Sequence, residues 1–134
     1  MSKFINDTVK TIVSRYSTAD PFVIAEKLNI EVDWCDLGDH PLGDTIYEEK
    51  EPIVLLNNNI KYSPRRNFVL AHEIGHVVMH ADLNGYYTGR LSYGPLELQA
   101  SEFASALMGM LFLEEHDRFP ETIQELKNMY GLPM

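Results

Sequence analysis

The chain has 134 residues, 45% of them hydrophobic and 23% charged, an ordinary globular balance for one domain that can build a core without cross-links. Cys35 is its only cysteine, which excludes an internal disulfide and suits a reducing compartment. The formal net charge of −9 argues against direct binding of a nucleic-acid backbone, and no apolar run reaches the ~18 residues of a membrane-spanning helix.

The first residues, Met1 to Asp7, hold no long apolar stretch, so no signal peptide is expected and a cytoplasmic location is. Residues 3–17 read as an amphipathic helix with Phe4, Ile5, Thr8, Val9, Ile12, Val13 and Tyr16 on one face. Asp20-Pro21 is a helix start, Asp as N-cap and Pro at the first helical position. That short helix runs to about Leu28 and buries Phe22, Ala25 and Leu28. Ile30, Val32 and Trp34 alternate with Glu31 and Asp33, the pattern of a half-buried strand. Cys35, beside Trp34, reads as a small buried apolar residue, because nothing near it in sequence would activate a thiol. Residues 36–43 are rich in Gly, Pro and Asp and form a loop.

Thr45–Tyr47 and Pro52–Leu56 read as two further strands joined by a charged hairpin tip over Glu48–Glu51, and the Asn57–Asn59 run ends the second. Ser63-Pro64 repeats the helix-start signature and opens a helix over about 64–82. Residues 83–95 form a long loop, a second long helix covers about 96–113, and Pro120 opens a short helix that Gly131 stops. The expected class is α+β, with a small three-stranded antiparallel sheet. Its single domain, 1–134, comprises N-terminal helices over 1–29, the sheet over 30–57, a helix pair with its loop over 64–113 and the last helix over 120–130.

The chemistry lies in the first helix of that pair. His72 and His76 are four residues apart, which puts them on one helix face about 5.4 Å apart along the axis. Two imidazole nitrogens at that spacing can converge on one zinc at about 2.0–2.1 Å. Glu73, about 100° further round the helix, can take a proton from a water that the metal has acidified. The competing reading is a pair of surface histidines. Against it stand Phe68, Val69, Leu70, Ile74, Val77, Val78 and Met79, which make the helix apolar almost all round and therefore buried. Histidines and a glutamate in such a helix need partners, and a metal supplies them. Gly75 costs about 1 kcal/mol against Ala in mid-helix, offset by the close approach of another backbone such as a strand edge.

A catalytic zinc site holds three protein ligands and one open position. The third ligand is expected from the next long helix, where Glu97 and Glu102 lie on roughly opposite faces. Glu97 is favoured, because Ala100, Ala104 and Leu107 continue its face, and the small residues Ala100, Ser101, Ala104 and Ser105 allow close helix packing. The plainer reading of Glu97 is a first-turn carboxylate attracted by the helix dipole. His80 reads as a supporting or substrate-facing residue, or simply as a helix-end histidine. His40 and His116 read as surface residues. Tyr86, Tyr87 and Tyr93 could stabilise an oxyanion, although packing or exposure is the ordinary fate of a loop tyrosine.

Ser63 to His80, with His72-Glu73-Ile74-Gly75-His76 at its centre, resembles the core of the ImmA/IrrE metallopeptidases, and Glu97-Leu98-Gln99-Ala100-Ser101-Glu102-Phe103-Ala104 resembles that family's second signature, Glu-x-x-Ala-x-x-Phe-Ala. The likeness runs over about residues 5–112. It implies a zincin-like core, one zinc per chain held by His72, His76 and Glu97, and Glu73 as general base. It further implies a protein substrate, a helix-turn-helix transcriptional repressor of a prophage or mobile element; charge and hydropathy, as above, lead to the expectation of no nucleic acid bound directly and no membrane. The chain departs from the family at Ala106-Leu107-Met108-Gly109-Met110, where members carry a proline, and in stopping at Met134 after a single helix. A compact or shortened form of the family is therefore expected. The alternative function is a non-proteolytic module of the same fold that regulates a repressor by binding it. Retention of Glu73 favours the enzyme, because a pure binding module has no use for a base.

Overall fold

The structure, a computed structural model, describes residues 2–80 and 93–132; of Tyr93 only the backbone is described. Two helices open the chain: α1, Lys3–Tyr16, and α2, Pro21–Lys27. Ser2 caps α1 by accepting from Ile5 N, and Asp20 caps α2 by accepting from Phe22 N, with Pro21 in the first turn. The buried face of α1 is Ile5, Val9 and Ile12. Phe4, expected on that face, is exposed, and Thr8 turns its hydroxyl to Phe4 O on its own helix. In α2 the buried residues are Pro21, Ile24 and Ala25, while Phe22 and Leu28 are only half-buried. Cys35 is half-buried too.

Three strands follow: β1, Glu31–Cys35; β2, Gly43–Glu48; and β3, Glu51–Asn57. The sheet is mixed, which corrects the expectation of an antiparallel one. Its order is β1-β3-β2, with β1 parallel to β3 and β2 antiparallel to it. The β2–β3 hairpin turns on Glu49 and Lys50, whose φ values of +51° and +71° are those of a tight two-residue turn. β1 is not next to β2 because the segment between them crosses the end of β3. Asn57, 2% exposed, fastens that crossing: its side-chain amide donates to Gly38 O and Pro41 O, and its backbone N–H donates to Leu42 O. β3 is thus the central strand, and it carries the buried Val54 and Leu56. β2 begins at Gly43, two residues before the expected strand, because Gly43 and Asp44 pair with Leu56 and Leu55.

After a short 3-10 turn over Asn58–Ile60 come α3, Arg65–His80, and α4, Tyr93–His116. Ser63 starts α3 by accepting from Arg65 N. Positions 81–82, expected to end this helix, lie outside the described residues, as does most of the expected loop over 83–95. α4 is longer than expected at both ends. Gly94-Pro95 falls in its first turn, where backbone N–H groups have no helical partner and proline costs nothing.

α3 and α4 pack along their length, and their contact is the body of the core. From α3 it takes Phe68, Leu70, Ala71 and Ile74; from α4 it takes Phe103, Ala104, Leu107, Met108, Leu111 and Phe112. Each large apolar side chain so buried contributes about 1.5–3 kcal/mol. Gly75 meets the ring of Phe103 on α4, where an added Cβ would stand 3.1 Å from it. The neighbour at that glycine is therefore an aromatic side chain and not a strand backbone. The last helix, α5, spans Ile123–Tyr130. It starts at Thr122, which caps it by accepting from Glu125 N, and not at Pro120; the Glu125 carboxylate reaches back to accept from Glu121 N. Gly131, φ +66°, stops it.

Candidate metal centre

Helix geometry stacks His72 and His76 one turn apart on α3, with ring centroids 4.9 Å apart and planes at 80°. Glu97, near the start of α4, faces both. Its Oε2 is 3.0 Å from His72 Nε2 and its Oε1 is 2.7 Å from His76 Nε2. Hydrogen bonds from His72 and then His76 hold the Glu97 carboxyl far below the usual carboxylate range. The close approach of the two helices follows from Ala100 and Ala104, both 0% exposed.

Two imidazole nitrogens and one carboxylate oxygen, lying within 4.8 Å of one another, form a donor set that could hold a metal ion. Nitrogen with carboxylate oxygen, and three protein donors with one side open, is the chemistry of a catalytic zinc site, so these residues fit that ion. The open side is a cleft of about 270 Å³ lined by Pro41, Gly43, Asp44, Thr45, Glu73, His76 and Glu97.

Glu73 is 7% exposed and stands outside the donor cluster, on the wall of the cleft. Its Oε1 accepts a 2.6 Å hydrogen bond from Thr45 Oγ1 on β2. Burial pushes its carboxyl above the ordinary range, opposed first by His72 and then by the Thr45 bond. Gly43 on the same strand lets β2 lie against α3, since a Cβ there would come 2.6 Å from Val69 Cγ1 and 3.5 Å from Glu73 Cγ.

The second ring nitrogens are also engaged. Ser101 Oγ lies 3.2 Å from His72 Nδ1, and His80 Nδ1 lies 3.2 Å from His76 Nδ1. His80 is buried, which pushes its pKa below the ordinary value, and its Nε2 is 2.8 Å from Gln99 Oε1. Glu102 lies in another cleft, with Ser2, Phe4, Ile5 and Leu98. His40 is exposed, and His116 stacks on Phe112 and bonds to its carbonyl. Tyr86 and Tyr87 lie outside the described residues.

Sequence reasoning missed Thr45, Gln99 and Gly43, and took Ser101 for a packing residue only. Ser101 was within reach, being one turn from Glu97 on the same helix face. Thr45 and Gly43 were not, because nothing local says which strand covers the motif.

The family model described as the IrrE N-terminal-like domain, a peptidase M78 model, matches residues 25–134. Over 133 residues the chain is 25% identical to "Uncharacterized immunity region protein 2" of Bacillus phage phi105, which covers 96% of this chain and 84% of that one. Over 113 residues it is 28% identical to "Metallopeptidase ImmA" of Bacillus subtilis (strain 168), which covers 80% of this chain but 64% of that relative. No helix among the described residues is long and apolar enough to cross a membrane.

Proposed function

This chain belongs to the IrrE N-terminal-like family of metallopeptidases, and from that premise we propose that it is a cytoplasmic zinc endopeptidase that cleaves a helix-turn-helix repressor of a prophage or mobile element. The observation that carries the reading is the convergence of His72 Nε2, His76 Nε2 and the Glu97 carboxylate beside a cleft walled by Glu73. His72, His76 and Glu97 hold the ion, in a zincin-like arrangement with β2 alongside α3. When bound, zinc supplies Lewis acidity, which polarises a peptide carbonyl and acidifies a water. Glu73 takes the proton from the attacking water and passes it to the leaving amine. Thr45 keeps the carboxylate of Glu73 turned toward the cleft. The name of the phage relative supports a prophage setting, and the net charge of −9 suits a basic protein partner better than DNA.

Protein purified without added metal should carry about one zinc per chain, most of it lost in His72→Ala, His76→Ala and Glu97→Ala and kept in Glu102→Ala. Glu73→Gln should retain fold and zinc and lose cleavage by about 10²–10⁴-fold, since the amide cannot accept the proton. The assay is incubation with candidate helix-turn-helix repressors, followed by mass spectrometry of fragments. If Glu73→Gln relieves repression in cells as well as the parent does, the protein acts by binding its partner and not by cutting it.

A further inference from the structure

His80 continues the four-residue spacing of His72 and His76, is 3% exposed, and stands between His76 and Gln99. The atoms in this row admit a definite order of protons. The Gln99 oxygen only accepts, so Nε2 of His80 carries its hydrogen toward it. A neutral His80 then has its lone pair on Nδ1, where it accepts from Nδ1–H of His76. With an ion seated between His76 and Glu97, this order leaves His76 its lone pair on Nε2, the atom that faces Glu97. The opposite order would start from an amide N–H of Gln99 and end with hydrogen on Nε2 of His76, closing that atom to a metal.

The geometry points to His80 and Gln99 as positioning residues that hold His76 in its metal-binding tautomer through a hydrogen-bond row running back to α4. The inference rests on the metal reading above. It gives α4 two tasks at one site: Glu97 faces the ion, and Gln99 orients a histidine ligand from behind. Neither His80 nor Gln99 belongs to the donor cluster. Losing such a supporting partner typically weakens metal binding by about 10–100-fold.

The test is zinc affinity of the full chain, measured by competition with a chromogenic chelator. Gln99→Met keeps the length of the side chain and removes the acceptor; Gln99→Glu keeps an oxygen that only accepts. Gln99 is on the surface, so both variants should fold, which circular dichroism checks. The expected result is binding about 10–100-fold weaker in Gln99→Met and in His80→Phe, with Gln99→Glu as tight as the parent or tighter. Nitrogen-15 spectra of the zinc-loaded parent should show His80 protonated at Nε2. The inference is overturned if Gln99→Met binds zinc as the parent does, if Gln99→Glu is as weak as Gln99→Met, or if His80 is protonated at Nδ1. A parent that binds no zinc removes the metal reading itself, and this inference with it; equal affinities in parent and variants remove this inference alone.

Discussion

Glu73 shows how one buried residue is set by its neighbours. A carboxylate so far from water would ordinarily be held neutral, and a neutral Glu73 could accept no proton. The Thr45 hydroxyl favours the charged form by donating to it. Thr45→Val keeps the shape and removes the donor. The pKa of Glu73 then rises further, so the acid limb of the kcat/KM profile should move to higher pH, because more alkaline solution is needed to ionise the base. An unmoved limb would show that Thr45 does not bias the base. The His72-Glu73-x-x-His76 residues were legible in the sequence because their geometry is contained in one helical turn. Thr45 was not, since it stands 28 positions away and reaches Glu73 only through the packing of β2 on α3.

At the scale of elements, the α3–α4 contact sets the distance between the histidines and Glu97. Gly75 meets Phe103 at that contact, with no room for a side chain. Gly75→Val should cost about 1–3 kcal/mol by overpacking and should lower zinc content with it, as the helices are pushed apart. Thermal melting and elemental analysis read the two effects. If the variant is less stable but keeps its full zinc, the helix spacing at Gly75 does not set the site. α5 is tied to α4 differently: Tyr130, buried, donates a 2.5 Å hydrogen bond to Glu115 Oε1. Burial first, and Glu115 second, push the Tyr130 hydroxyl well above its ordinary value. That contribution is fully present below the ordinary tyrosine range near pH 10 and is lost as the pH rises beyond it. Tyr130→Phe should cost about 0.5–1.5 kcal/mol at neutral pH, and the gap from the parent should narrow in alkaline solution. A gap that is constant with pH would assign the loss to packing alone. The start of α2 was readable in advance from the short-range Asp20-Pro21 signal. At α5 the same kind of signal, Thr122 with Glu125, was present and Pro120 was preferred to it.

For the whole molecule, metal binding and folding are linked. The donors come from α3 and α4, so the unfolded chain has no assembled site, and the chain is expected to unfold as one domain. Zinc at about a hundred times its dissociation constant should add about 2.7 kcal/mol of stability, seen as a higher Tm that falls again on chelation. His72→Ala should melt at the same temperature with and without zinc. A parent whose Tm ignores zinc would separate the donor cluster from any metal.

From its own periodicities and caps the sequence determined the helices, the strands, the α+β class and the two-histidine face of α3, because each is settled within a few neighbouring residues by backbone geometry. Tertiary structure alone decided what lies across from them. The sheet is mixed because Asn57 fastens the 36–42 segment over the end of β3, leaving β1 and β2 on opposite sides of it. Glu97 meets the histidines, Thr45 meets Glu73, and Gln99 meets His80 because α4 and β2 both pack on α3. Such contacts join residues far apart in the chain, and what holds them is the non-directional burial of apolar surface, which carries no local signature.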